Sequence, residues 1–375
     1  MGKEEDENGC LNEWPEPIVR VQGLSESGIS TLPDRYFRRS RSERPEVVEE
    51  IPVIDLEAVA GRKEEEEEEE EEDNDSSSLS SGARGEKMSG ACREWGFFQV
   101  VNHGVDQELM AEMQEAWREF FLLPAEEKQE YANSPATYEG YGSRLGVEKG
   151  AKLDWCDYFF LNFLPISLRD SSKWPRLPLP CRPLTEKYGQ AMACLGEKLT
   201  RMMSLSLGLK EDRLHQAFGG DQGRGSCLRV NFYPKCPQPD LAFGLSPHSD
   251  PGGLTILLPD ANVVGLQVFH VDKWVNVKPL PNSLIVNIGD QIQVMSNAAY
   301  KSVEHRVIVN SIKERVSLAF FYNPGGEVVV KPLDELVTEN NPAMYLPMTF
   351  NEYRAFIRSK GPQGKSQVEM LKSKS

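Results

Sequence analysis

The sequence predicts a mainly β protein with flanking helices, its core a β-sandwich or barrel. Three observations lead there. From about Cys227 onward, seven short stretches rich in β-branched and aromatic residues (LRVNFY, LTILL, GLQVF, KWVNVKP, SLIVNIG, HRVIV and RVSLAFFYN) follow one another with turn residues between them. Upstream, apolar residues recur at helical spacing: Leu109, Met113, Ala116 or Trp117 and Phe120 before Pro124, then Tyr188, Met192, Leu195, Leu199 and Met202 before Gly208. Downstream, Thr349-x-x-Glu352 is a capping box that opens a helix running to Arg358.

In chain order, residues 1–50 are a polar arm rich in Pro and Arg, with one island, Trp14 to Val21, that suits packing on the body. Residues 51–210 form an N-terminal α/β region. It begins with the short strand Ile51–Leu56 and is interrupted by a low-complexity acidic insert, 61–87, read as disordered. Trp95–Val101 is a buried strand ended by Asn102-His103-Gly104, where His103 closes the turn; His215 and His270 likewise serve structure. The β-rich core spans 211–340, and 341–375 supply a C-terminal helix and tail. No internal repeat is present.

Composition narrows the function classes. The chain has 375 residues, 42 Lys plus Arg against 58 Asp plus Glu, and a net charge of −16. Nine consecutive glutamates, Glu64–Glu72, with Asp73 and Asp75 supply eleven of those acids; without them the net charge would be −5. No clustered basic face offers itself to nucleic acid or to an anionic membrane. No stretch approaches the ~18 apolar residues that span a bilayer. Seven cysteines without a CxxC pair argue against a disulfide framework or zinc finger and for a reduced, cytoplasmic setting. The insert reads as a solvated spacer.

Chemistry concentrates at His248-Ser249-Asp250 and, 55 residues after the Asp, His305. On a strand, positions 248 and 250 share a side, so an imidazole and a carboxylate reach one ion while another strand supplies the third ligand. Two His and one carboxylate leave coordination positions open, the arrangement of non-haem Fe(II) oxygenases. A capping His and a turn Asp before Pro251-Gly252-Gly253 is the plainer alternative. Against it stand Arg315 and Ser317, which share a strand face and suit the far carboxylate of a small ligand, and Asn231 and Tyr233, which share another and supply an amide and a phenol.

The segments WGFFQVVNHG, NFYPKCPQPDL, PHSDPGGLTILL, LIVNIGDQIQVMSN, YKSVEHRV and ERVSLAFFYNP resemble the plant soluble Fe(II)/2-oxoglutarate-dependent dioxygenases, from about residue 50 to 360 outside the acidic insert. The resemblance implies a double-stranded β-helix (jelly roll) core with flanking helices. It implies iron ligation by His248, Asp250 and His305, and 2-oxoglutarate binding by Asn231, Tyr233, Arg315 and Ser317, with Arg315 the catalytic candidate. It further implies that O2 and 2-oxoglutarate are consumed, succinate and CO2 are released, a substrate C–H is hydroxylated, and ascorbate serves as reductant. Asn297-Ala298 departs from the family's frequent Asn-Gly, at a turn that touches no ligand.

For the substrate, three features stand out. Arg229 shares parity with Asn231 and Tyr233, so it is a second inward cation or a structural salt bridge. Arg354 and Arg358 lie four apart on the late helix, where their mutual repulsion would be relieved by an anion; a solvated face is the alternative. Phe321 shares parity with Arg315 and Ser317 and either faces the cavity or packs the core. A cavity rimmed by these arginines suits a small hydrophobic carboxylic acid. WPEPIVRVQGLSESG, LPDRY and GYGSRLGVEKGAKLDWCDYFFLNFLP are similar to the jasmonate-induced oxygenase group. That similarity implies 12-hydroxylation of jasmonic acid, which inactivates the hormone and dampens defence, with Arg229, Arg354 and Arg358 on its carboxylate and Phe321 on its ring or chain. Flavonoid oxidation of the anthocyanidin synthase or flavanone hydroxylase type is the alternative. A non-catalytic jelly-roll binder would not need the full ligand set, and a zinc hydrolase would have no use for Arg315 or Asn231.

Overall fold

A computed structural model of the protein describes residues 13–38, 50–57, 85–360 and 365–373. The run Glu64–Glu72 and most of the predicted 61–87 insert lie outside the described residues.

Two sheets form the core. The larger has eight strands in the order β1-β2-β10-β7-β12-β5-β4-β3 and the smaller has four, β6-β11-β8-β9. In the larger sheet these are β1 Val53–Asp55, β2 Phe97–Val101, β3 Gly140–Gly142, β4 Asp157–Leu164, β5 Gly225–Tyr233, β7 Leu254–Leu258, β10 Leu284–Ile288 and β12 Arg315–Asn323. The smaller holds β6 Phe243–His248, β8 Leu266–His270, β9 Lys273–Asn276 and β11 His305–Ile308. A short pair, β13 Val329–Val330 and β14 Met348–Thr349, follows. The jelly-roll expectation is met. All seven strands read from the core sequence are present; β3, β4, β6, β13 and β14 are additional. FGLSPH gives a weak strand signal because Gly, Ser and Pro are poor strand formers, and β6 is held by pairing with β11.

Alternation along β5 and β12 divides core from cavity. Leu228, Val230, Phe232, Val316, Leu318 and Phe320 join the main apolar core, where the helices cover them. Helix α2 (Gln107–Leu122) supplies Trp117, Phe120 and Phe121, whose ring stacks on Phe232 at 4.8 Å. Helix α3 (Cys181–Ser206) packs beside it. Gly196 is required there, because a Cβ would lie 2.7 Å from the Tyr322 ring. The odd-numbered side chains of β5 and β12 face the other way. Helix α4 (Phe350–Lys360) opens on the predicted capping box: Thr349 Oγ1 donates to Glu352 Oε2 at 2.7 Å, and Glu352 N donates back to Thr349 Oγ1 at 3.3 Å. Ala298, at the Asn-Ala turn, sits at φ 65°, a left-handed conformation that costs a non-glycine residue about 1 kcal/mol. Among the described residues no helix is long and apolar enough to cross a membrane.

The described part of the arm, residues 13–38, lies on the body. Its helix α1 (Val21–Glu26) points the N–H groups of Val21 and Gln22 at the carboxylate of Asp157, at 2.9 and 2.8 Å. Asp157 is fully buried, and burial pushes its carboxyl above the ordinary range while these donors and Ser143 act against that push. Asp157→Ala would leave buried N–H groups unpaired at about 1–3 kcal/mol each. The expected result is a drop of roughly 5–10 °C in the midpoint of thermal unfolding by calorimetry. An unchanged midpoint would show that the arm adds nothing to stability.

Candidate metal centre and adjoining cavity

His248 ends β6 and His305 begins β11, and the two are direct partners in the antiparallel register. Asp250 comes from the link between the sheets. The strand-parity expectation for His248 and Asp250 is therefore not met, since β6 stops at His248 and Asp250 lies in the following bend. Hydrogen bonds bring the carboxylate back: Asp250 Oδ2 accepts from Thr255 Oγ1 at 2.6 Å and from Asn287 Nδ2 at 2.8 Å, and its backbone oxygen accepts from Asp290 N at 2.8 Å. Thr255 and Asn287 are themselves register partners on β7 and β10. Gly252 allows the bend, because a Cβ there would sit 2.1 Å from Asn323 Oδ1.

The result is a three-atom face. One ligand atom each from His248, Asp250 and His305 lies within 4.8 Å of the others, with Asp250 Oδ1 at 3.6 Å from His248 Nε2 and 3.7 Å from His305 Nε2. Each ring's Nδ1 is turned to a carbonyl, His248 to Ser246 at 2.8 Å and His305 to Val303 at 3.2 Å. That pairing favours the tautomer whose Nε2 carries the lone pair, as a metal ligand requires. Burial, helped by neighbouring His248, holds the His305 imidazole down at about 4, so it is neutral and able to ligate at physiological pH. Burial drives Asp250 upward, but His305, His248 and Asn287 outweigh it and hold the carboxyl well below the usual range. Burial pushes the His248 imidazole down, but Asp250 and the Ser246 carbonyl outweigh it and raise it above its ordinary value, so a cation that binds here displaces that proton; two imidazoles, one carboxylate and open space beside them fit Fe(II).

The co-substrate candidates form cross-strand pairs: Arg315 lies opposite Tyr233, and Ser317 opposite Asn231. Arg315 Nη1 donates to Ser317 Oγ at 3.2 Å, and its guanidinium carbon lies 5.2 Å from the Tyr233 ring centre. Two buried polar atoms here have no hydrogen-bond partner, Arg315 Nε and Asn231 Oδ1. Buried polar atoms are rarely left unpaired: the Arg315 Nε donor fits a carboxylate that is not part of the chain, whereas Asn231 Oδ1, an acceptor, meets such a group only with its amide turned so that Nδ2 donates.

The same ladder continues past Ala319 opposite Arg229 to Phe321 opposite Cys227. At about 6.8 Å per pair of residues, the wall extends about 20 Å from Arg315 to Phe321. It bounds a cavity of about 240 Å³ whose lining includes the three candidate metal ligands, all four co-substrate candidates, and Arg229, Phe321, Arg354 and Arg358. The fold thus brings to one cavity every site residue that the sequence singled out, together with others that it did not. Arg229 lies 4.2 Å over the Tyr158 ring and has no ion pair among the described residues, so the salt-bridge alternative is not realised. Arg354 and Arg358 both face the cavity; Arg354 lies 5.5 Å from the Phe350 ring centre, and Arg358 donates to the carbonyls of Ala136 and Thr137 at 3.5 and 3.4 Å. Phe321 belongs to the cavity wall and to none of the apolar core clusters.

Several residues escaped the sequence reading. Thr255 and Asn287 orient Asp250. Asp290, pushed up to about 6 by burial, accepts from Tyr353 Oη at 2.7 Å and so ties α4 to the short helix Asp290–Met295, whose first N–H donates to the Asp250 carbonyl. Tyr138, Leu145 and Gly146 close the cavity from a connecting segment. His103 closes its turn as expected, its Nδ1 accepting from Val105 N at 3.1 Å, and His270 stacks on Trp95 at 3.7 Å. His215 meets Glu197 and Asp221 at ligand distance, but Arg224 reaches both carboxylates, at 3.6 and 2.8 Å, which makes this an ion-pair cluster.

Comparison with known proteins agrees with the geometry. Residues 224–324 match the 2OG-Fe(II) oxygenase superfamily, and residues 51–177 match the N-terminal region described as non-haem dioxygenase in morphine synthesis. Jasmonate-induced oxygenase 2 of Arabidopsis thaliana is 57% identical over 373 residues, covering 98% of this chain and 96% of that protein. Leucoanthocyanidin dioxygenase of Malus domestica is 38% identical over 347 residues, covering 89% and 93%. A crystal structure of JOX2 in complex with 2OG, Fe and JA superposes with a TM-score of 0.87 at 56% identity, covering 96% of this chain and 100% of that one.

Proposed function

The chain belongs to the Fe(II)/2-oxoglutarate-dependent dioxygenases, in the jasmonate-induced oxygenase group, and from that premise we propose that it hydroxylates jasmonic acid at C-12, inactivating the hormone and dampening jasmonate-dependent defence. The reaction is assigned to the cytoplasm. One observation carries the substrate: three guanidinium groups, Arg229, Arg354 and Arg358, line an otherwise largely apolar cavity that also contains the metal face. A small hydrophobic acid uses both properties, whereas a neutral polyphenol offers these half-buried guanidinium groups no carboxylate to pair with.

Iron with 2-oxoglutarate and O2 would supply the oxidising power to hydroxylate an unactivated C–H, one oxygen atom going to the product and the other to succinate as CO2 is lost, while ascorbate as reductant would keep the iron ferrous. The chain's own residues do the rest. His248, Asp250 and His305 hold the metal, and Thr255 and Asn287 fix the carboxylate oxygen that does not ligate. Arg315 and Ser317 bind the far carboxylate of 2-oxoglutarate, with Asn231 and Tyr233 across the ladder. Arg229, Arg354 and Arg358 bind the jasmonate carboxylate and thereby set which end of the molecule faces the metal, while Phe321 contacts its ring or chain. Holding one C–H in reach is what selects the product.

The test is incubation with Fe(II), ascorbate, 2-oxoglutarate and O2, with jasmonic acid and naringenin in separate reactions, read by mass spectrometry. One added oxygen on jasmonic acid with matching succinate supports the reading; oxidation of naringenin alone overturns the substrate and keeps the enzyme class. Arg354→Ala is expected to raise the KM for jasmonic acid roughly 10- to 100-fold, as loss of one charge-assisted contact does, with the KM for 2-oxoglutarate unchanged.

A further inference from the structure

The outer wall of the cavity is not made by the barrel. It comes from the segment 134–150, which contributes Tyr138, Leu145 and Gly146 to the lining and whose regular structure is confined to the three residues of β3. A wall with so few backbone pairings needs another support. The N-terminal arm provides one, by two routes.

The first route is ionic. Glu16 is gripped by two guanidinium groups: Arg35 reaches its two oxygens at 2.8 and 2.9 Å, and Arg144 reaches Oε1 at 2.6 Å. Arg144 is buried, and two further donors go to the wall, Nε to the Gly146 carbonyl at 3.0 Å and Nη2 to the Glu148 carbonyl at 2.8 Å. Those two carbonyls define the bend that carries Leu145, with Gly146 at φ 78°. The hydrogen bonds from Arg35 and then Arg144 hold the Glu16 carboxyl down at about 2, so the carboxylate is charged wherever the enzyme works. The second route is aromatic. Trp14 Nε1 donates to the Asn133 carbonyl at 3.3 Å, and its ring meets Tyr138 edge-on at 5.4 Å. Tyr138 Oη in turn donates to the Arg358 carbonyl at 3.3 Å.

We propose that Trp14 and Glu16 are positioning residues for the substrate, holding segment 134–150 through Tyr138 and Arg144 as a fixed outer wall so that the arm sets substrate affinity and the coupling of 2-oxoglutarate consumption to hydroxylation. Neither residue lines the cavity. Both act through the wall, and the 2-oxoglutarate contacts on β5 and β12 lie outside their reach. The proposal rests on the reading that this cavity takes the jasmonate, and it deepens it by naming what closes the cavity over that substrate.

The test uses the full chain with Glu16→Gln, Trp14→Leu and the charge-preserving Glu16→Asp. Glu16→Gln and Trp14→Leu are expected to raise the KM for jasmonic acid roughly 10-fold, the scale set by one charged hydrogen bond. Both should also form succinate in excess of hydroxylated product, with the KM for 2-oxoglutarate within about twofold of wild type; Glu16→Asp should recover part of the loss. Backbone hydrogen exchange across 143–150 should quicken in Glu16→Gln without any ligand present. A lower melting temperature with wild-type KM, coupling and exchange would overturn the proposal, because it would make the arm a stabilising strap alone. If the wild-type protein does not hydroxylate jasmonic acid, the substrate reading fails by itself, and exchange at 143–150 together with substrate-free succinate formation then decides the role of the arm.

Discussion

Asp250→Asn is expected to abolish turnover, by about 1,000-fold or more, while the protein stays folded. The substitution keeps the side chain's size and one oxygen, but it removes the only negative charge on a face otherwise made of two imidazoles. A neutral amide is a far weaker partner for a divalent cation, and Asn would also have to satisfy Thr255 Oγ1 and Asn287 Nδ2, which both donate to the carboxylate now. Loss of an outer-shell partner alone costs 10–100-fold in metal affinity or activity, so loss of the charged ligand should cost more. The check is iron bound per chain after anaerobic loading and dialysis, together with succinate formation and a melting curve. Iron retained at the wild-type level would remove Asp250 from the coordination set.

How much of this could be read from the chain follows from where the constraints lie. Side chains on strands obey a two-residue parity, so Arg229, Asn231 and Tyr233 could be assigned to one face of their strand, and Arg315, Ser317 and Phe321 to one face of theirs, before the fold was known. The register that sets Arg315 opposite Tyr233 and Ser317 opposite Asn231 was not available from either strand alone. Asp250 defeated parity because its position is fixed by a bend and by two side chains from other strands. Those two did leave a trace: Thr255 in LTILL and Asn287 in LIVNI are the single polar residues of apolar strands, and a lone polar residue in a buried strand needs a polar partner. Tyr138, Leu145 and the Glu16–Arg144 contact left none. They depend on a long-range packing of irregular segments, |i−j| of 128 for Arg144 and Glu16, which no local pattern encodes.

Arg315→Ala should weaken 2-oxoglutarate binding by roughly 30- to several thousand-fold, the range expected when one member of a buried charge pair is truncated at 2–5 kcal/mol. The site offers no replacement. Ser317 Oγ is the only other β12 donor in the co-substrate group, and Arg229 is one ladder step beyond Asn231 and committed to the face of Tyr158. Arg315 is also held in place by shape: a Cβ on Gly265 would lie 3.1 Å from its Cδ, so the absence of a side chain there leaves room for the arginine stem. Because Arg315 touches none of His248, Asp250 and His305, iron loading should stay at the wild-type level, and 2-oxoglutarate titration should separate the two effects. Arg315→Lys should recover only part of the affinity, since an ammonium keeps the charge but loses the planar fork that grips both carboxylate oxygens. Unchanged 2-oxoglutarate affinity in Arg315→Ala would place the co-substrate's far carboxylate elsewhere and would leave Arg229, on the same wall, as the cation to test in its place.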